Sequence, residues 1–107
     1  MNIGVIGGSG FIGSHLVDKL LEHGHEVTVF DIKKPHRDDL AHIYIDITDL
    51  SKTTIALTGS YDVVYLLAAM ADVNDVYKNP VEAGEINVIA VGNILEAARR
   101  NEIQRVI

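Results

Sequence analysis

The sequence has no cysteine and no tryptophan, only 2 prolines, and 6% aromatic residues. Without cysteine there is neither a disulfide framework nor a thiolate metal site, and a reducing compartment is compatible with the chain. Positive charge is scarce as well, with 9 Lys and Arg against 15 Asp and Glu, a net charge of −6. That balance argues against a broad electrostatic grip on nucleic acid or on an anionic membrane, so a bound anion has to be held by a local device. No apolar run approaches the roughly 20 residues of a membrane span. The start Met1-Asn2-Ile3-Gly4 lacks the charged segment that opens a signal sequence. The expected location is cytoplasmic. What the chain does have is apolar surface: 48% of its 107 residues are hydrophobic, enough for the core of one small domain.

Hydrophobic period sets the order of elements. Ile3, Val5 and Ile6 form an apolar run stopped by glycines, a buried strand over residues 2–7. From Phe11 the period becomes helical through Ile12, Leu16, Val17, Leu20 and Leu21, with Gly24 where a left-handed residue ends a helix. Val27, Val29 and Phe30 make a second strand ending at Asp31, and Ile43, Tyr44 and Ile45 a brief third one ending at Asp46. Residues 50–57 read as a short helix capped by Thr48 or Asp49 and left at Gly59, and a fourth strand starts at Val63. Residues 72–79 read as a polar loop. Asn79, Pro80 and Glu82 then open a helix over residues 80–100 with a capping box. Its apolar residues form two stripes, Ile86, Ile89, Ala90 and Ala97 on one, Val81, Val88, Val91, Leu95 and Ala98 on the other. One stripe suits the sheet; the other asks for a second helix or a partner subunit, with Gly84 and Gly92 allowing close approach. Arg105-Val106-Ile107 begins a fifth strand. The alternation implies an α/β fold, a doubly wound parallel sheet of Rossmann type in the order 3-2-1-4-5, with helices on both faces.

The motif with chemical content is Gly7-Gly8-Ser9-Gly10-Phe11-Ile12-Gly13, lying between the first strand and the first helix. Gly7 allows the tight turn, Gly10 lets backbone approach a pyrophosphate, and Gly13 lets the helix lie against the strand. The amides of Phe11 and Ile12, unpaired in the first helical turn and at the positive end of its dipole, point to an anion. A chain of net charge −6 can hold a diphosphate in this way. Asp31, at the end of the second strand, suits the hydroxyls of an adenosine ribose and repels a 2′-phosphate, which favours NAD over NADP, although Lys33 and Lys34 offset part of that repulsion. Asp46 and Ile47 flank the same end of the sheet, as an adenine contact or a helix cap.

These features together resemble the extended short-chain dehydrogenase/reductase family, the NAD-dependent epimerases and dehydratases of nucleotide sugars. The resemblance covers the whole chain: Gly7 to Gly13, Asp31, Asp46-Ile47-Thr48-Asp49, Asp62-Val63-Val64-Tyr65-Leu66-Leu67-Ala68-Ala69, and Asn79-Pro80 followed by Asn87-Val88-Ile89-Ala90. It implies that Asp46 and Ile47 contact adenine, that Leu67, Ala68 and Ala69 pass under the nicotinamide ribose, and that Asn87 lies near the cofactor. A structural hydrogen bond from Asn87 to a neighbouring strand is an equal alternative. The family often has His where this chain has Leu66 and Gly where it has Ala90.

One part of the family pattern is absent. The catalytic Tyr-x-x-x-Lys pair, in which Lys lowers the pKa of a Tyr base, is missing: Tyr44, Tyr61, Tyr65 and Tyr77 are followed four residues later by Thr48, Tyr65, Ala69 and Val81. The expectation is a cofactor-binding N-terminal part, residues 1–107, of a nucleotide-sugar epimerase or dehydratase. It would be inactive alone, carry no catalytic residue of its own, and meet sugar substrate only in the complete enzyme. A homodimer through the helix at residues 80–100 is expected, with neither nucleic acid nor membrane as partner and no metal site. The competing expectation is a stand-alone dinucleotide-binding regulatory or sensor module.

Overall fold

The computed structural model describes residues 1–107. Five parallel strands, β1 Asn2–Ile6, β2 Glu26–Phe30, β3 Ala41–Ile43, β4 Val63–Leu66 and β5 Arg105–Val106, form one sheet in the order β3-β2-β1-β4-β5. The chain builds outward from β1 to β3, then crosses to the other side for β4. The gap between β1 and β4 is therefore the switch point at which open α/β sheets bind ligands.

Alternation along the strands divides the core in two. Ile3 and Val5 of β1 and Val27 and Val29 of β2 pack with Val17 of α1, Phe11–Glu22. Ile6, Phe30 and Val64 point to the opposite face, against Leu57 and Tyr61 and against Ala90, Ile94 and Ala97 of α5, Ala90–Arg100. Phe30 is wholly buried and meets Tyr61 edge to face at 5.3 Å between ring centroids, and its side chain alone contributes about 2–3 kcal/mol of burial. Helix α1 ends as its sequence suggests, with Gly24 at φ +81° and the amides of Gly24 and His25 donating to the carbonyls of Leu21 and Leu20.

Several local expectations are corrected. The third strand is Ala41–Ile43, not Ile43-Tyr44-Ile45. It pairs with Thr28, Val29 and Phe30, and because β2 ends at Phe30 the chain beyond Ile43 has no ladder to join. Ile45 is nevertheless buried. Helix α2, Leu50–Ala56, is capped by Asp49, whose Oδ1 accepts from the Lys52 amide at 2.9 Å, and it ends at Leu57, with Ser60, beyond Gly59, at φ +57°. Residues 72–79 are not a loop throughout: Asp72 Oδ1 accepts from the amides of Asn74 and Asp75 and so starts a short helix, α3, Val73–Lys78.

The long helix after Asn79 is also not uniform. Asn79 makes no side-chain cap, because its amide donates to the Asp75 carbonyl at 3.3 Å. Helix α4, Pro80–Gly84, passes into a π-helical turn, Glu85–Ile89, before α5 begins. A π turn inserts one residue into the 3.6 period, so the stripes read from one continuous helix break at this point. Ile89 is 60% exposed while Ala90 and Ala97 of its stripe are buried, and Ala98 is buried while Val81, Val88 and Leu95 of the other stripe are exposed at 75%, 67% and 52%.

Candidate functional site

A cleft of about 340 Å³ opens at the carboxyl end of the sheet, at the switch point. Four connections meet there: Gly7, Ser9 and Gly10 after β1, Asp31 to Lys33 after β2, Ile45 to Ile47 beyond β3, and Leu67 to Ala69 after β4. Gly7, Gly10, Asp31, Asp46, Ile47, Leu67, Ala68 and Ala69, singled out from sequence, all line it. Phe11, Ile12 and Gly13 stand just outside the enclosed volume, on the first turn of α1.

The glycines have separate reasons. Gly7 sits at φ +85°, and a Cβ there would lie 2.6 Å from the amide nitrogen of Ala68, so this glycine lets the turn cross the chain leaving β4. A Cβ on Gly13 would run into the carbonyl oxygen of Gly7, so Gly13 sets how closely α1 approaches β1. Gly10 differs. Its backbone is extended, at φ −78° and ψ 179°, and a Cβ would meet only the Gly7 oxygen at an ordinary 3.4 Å, leaving open space in front of it. That space lies before the first turn of α1, where no side chain caps the helix and the amides of Phe11, Ile12 and Gly13 find no acceptor in the chain. Unpaired amides at a helix start, reached over a residue without a side chain, make a local anion cradle.

Asp31 extends the site toward β2. Its Oδ2 accepts from the Ser9 amide at 3.0 Å and its Oδ1 from the Lys33 amide at 2.9 Å. Farther along the same loop, His36 Nε2 lies 2.8 Å from Asp18 Oδ1 and Arg37 donates to Asp18 and Asp39, which ties the loop to α1. The His36 contact, followed by Arg37, holds the Asp18 carboxyl below its ordinary pKa. On the far wall, Asp46 Oδ1 accepts from the Thr48 hydroxyl at 2.6 Å and the Thr48 amide at 3.0 Å. Those bonds, the hydroxyl first, hold its carboxyl low and leave Oδ2 free of partners. Asp46 thus combines an Asx turn ahead of α2 with a position on the cleft.

Asn87 does not line the cleft. On the π turn, its amide nitrogen donates to the Met70 carbonyl at 2.9 Å and its Oδ1 accepts from the Met70 amide at 2.8 Å. The side chain therefore pins the segment that follows Ala69, bonding to chain beyond β4 rather than to a strand. Residues that the sequence reading passed over also line the cleft: Ser9, Ile32, Ile45 and Ile86. The isoleucines make part of its walls apolar, and Ser9 reads in the sequence only as a spacer between glycines.

Fold and site together define a Rossmann-type dinucleotide-binding unit: a parallel sheet in 3-2-1-4-5 order, a glycine turn at its switch point, and an acidic residue at the end of the second strand. The sequence profile of the NAD dependent epimerase/dehydratase family matches residues 3–107, and the chain belongs to that family. It is 37% identical to the UDP-glucose 4-epimerase of Halalkalibacterium halodurans over 100% of this chain and 34% of the relative. It is 36% identical to the UDP-N-acetyl-alpha-D-glucosaminuronate decarboxylase of Bacillus cytotoxicus over 92% of this chain and 33% of the relative. The Thermus thermophilus UDP-glucose 4-epimerase, solved in complex with NAD, superposes with a TM-score of 0.90 at 32% identity over 99% of this chain and 36% of that one. The chain thus spans about a third of the length of the relatives it matches. No helix is long and apolar enough to cross a membrane.

Proposed function

We propose that this chain binds NAD across the carboxyl edge of its sheet and forms the cofactor-binding portion, residues 1–107, of an NAD-dependent nucleotide-sugar epimerase or dehydratase. The observation that carries this reading is the meeting, at the mouth of one cleft, of the open space before Gly10, the unpaired amides of α1 and the Asp31 carboxylate. The amides of Phe11 and Ile12 hold the pyrophosphate, Asp31 accepts from the adenosine ribose hydroxyls, and Asp46 with Ile47 borders the adenine. Leu67, Ala68 and Ala69 floor the cleft toward the nicotinamide ribose, with Asn87 holding that floor through Met70.

Bound NAD supplies a reversible acceptor for a hydride taken from a sugar carbon. The residues of this chain bind and orient; a base that moves the sugar hydroxyl proton has to come from elsewhere, because no Tyr here has a Lys four residues on. Calorimetric titration of the chain with NAD tests the reading: saturable binding supports it, and no heat of binding at millimolar NAD refutes it. The isolated chain should turn over no UDP-sugar, and measurable turnover would show that the catalytic assignment is wrong. A cytoplasmic location goes with this reading and is checked by fractionation. So does a homodimer through α4 and α5, supported by the exposed apolar residues Val81, Val88 and Leu95.

A further inference from the structure

We propose that Ser9 is a positioning residue that sets how sharply the site discriminates a ribose 2′-hydroxyl from a 2′-phosphate, an inference that rests on the NAD reading above. The Asp31 carboxylate is gripped on both oxygens by backbone amides, that of Ser9 on Oδ2 at 3.0 Å and that of Lys33 on Oδ1 at 2.9 Å. The two grips are themselves joined, because the Ser9 hydroxyl donates to the Lys33 carbonyl oxygen at 2.8 Å. Three hydrogen bonds thus close a ring from the glycine turn, through the acid, to the backbone after β2. All three residues line the cleft.

An ionised carboxylate has roughly four acceptor positions, so two amides leave capacity for two ribose hydroxyls. The ring fixes where that capacity points, which removes the ordering cost from ligand binding. It also fixes the negative charge, and a charge that cannot swing aside keeps repelling a phosphate. Lys33 lines the same cleft and Lys34 follows it in the chain, and neither ammonium group makes an ion pair within the chain. Without the Ser9 hydroxyl the Lys33 backbone is released and its amide leaves Oδ1 more readily. The carboxylate then turns away and the lysines are free to approach a 2′-phosphate. Ser9 acts through Asp31 and Lys33.

The test is equilibrium titration of the full-length protein carrying this chain with NAD and with NADP, for the unaltered protein, Ser9→Ala, Ser9→Gly and Ser9→Thr. Ser9→Ala should weaken NAD binding roughly three- to tenfold, the worth of one hydrogen bond, and leave NADP unchanged or tighter. The preference for NAD therefore falls by at least the same factor. Ser9→Gly, which removes the same hydroxyl within a turn already rich in glycine, should give the same change and covers any folding defect of the alanine variant. Ser9→Thr keeps the hydroxyl and should keep the preference within about twofold. Equal weakening of both dinucleotides, or no change in either, overturns the inference and leaves the NAD reading standing. Failure of the unaltered protein to bind either dinucleotide overturns both.

Discussion

Gly13 lies so close under Gly7 that a Cβ added to Gly13 would run into the Gly7 carbonyl oxygen. The helix and the strand that carry the anion cradle are thus held together by the absence of one methyl group. Gly13→Ala has to push α1 away from β1 and should cost about 3 kcal/mol or more, because the obstacle is backbone rather than a flexible side chain. Gly10→Ala meets only an ordinary contact and should change stability by less than about 1 kcal/mol. Urea unfolding of the two variants checks the contrast, and equal destabilisation would contradict it.

Thr53 is wholly buried on α2, and its hydroxyl oxygen has no hydrogen-bond partner. Replacing it by a methyl of the same shape removes a desolvated polar group without opening a cavity. Thr53→Val should therefore stabilise the fold by about 1 kcal/mol. A lower denaturation midpoint in the variant would show that the hydroxyl is satisfied in solution.

Glu96 gives the acid limb of stability a distinct signature. Arg99 grips both its oxygens, at 2.8 and 2.9 Å, and Arg100 adds a bond at 2.8 Å, which together hold the Glu96 pKa at about 2. Because the folded value is depressed below the ordinary 4.5, the contribution is fully present above that pH and is lost as pH falls through about 2. Glu96→Gln should lower the melting temperature at neutral pH, with the gap to the unaltered protein closing between those two values. Melting curves that stay parallel down to pH 2 would contradict this assignment.

Val81 of α4, Val88 of the π turn and Leu95 of α5 are all exposed apolar side chains. The proposed homodimer predicts that the unaltered full-length protein sediments as a dimer and that Val88→Lys combined with Leu95→Lys sediments as a monomer, with the fold retained because neither side chain is buried. A dimer that survives both charges would place the interface elsewhere.

The parts of the fold legible in sequence were those that depend on side-chain type at fixed spacing. Glycines three apart between a strand and a helix, with an acid at the end of the next strand, needed no tertiary knowledge. Helix α3 was missed because Asp72 looks the same in a polar loop as at a cap. The third strand was displaced because the end of a parallel ladder is set by its neighbour: Ile43, Tyr44 and Ile45 carry the apolar signal, yet β2 stops at Phe30. The π turn at Glu85–Ile89 has no residue signature, so a constant helical period groups Ile89 with residues that are buried and Ala98 with residues that are exposed. Ser9 carries no sequence signal for a related reason, since its bond to Asp31 is made by a backbone amide that any residue possesses.

The central claim is that the space in front of Gly10 is where a dinucleotide diphosphate sits. Gly10→Val places a branched side chain in that space, and the extended backbone there, at φ −78°, accepts valine without strain. Calorimetric titration with NAD, with circular dichroism on the same samples, tests the claim most directly. The unaltered chain should bind NAD saturably and Gly10→Val should not bind it, with unchanged secondary structure. An undiminished affinity in the folded variant would contradict it.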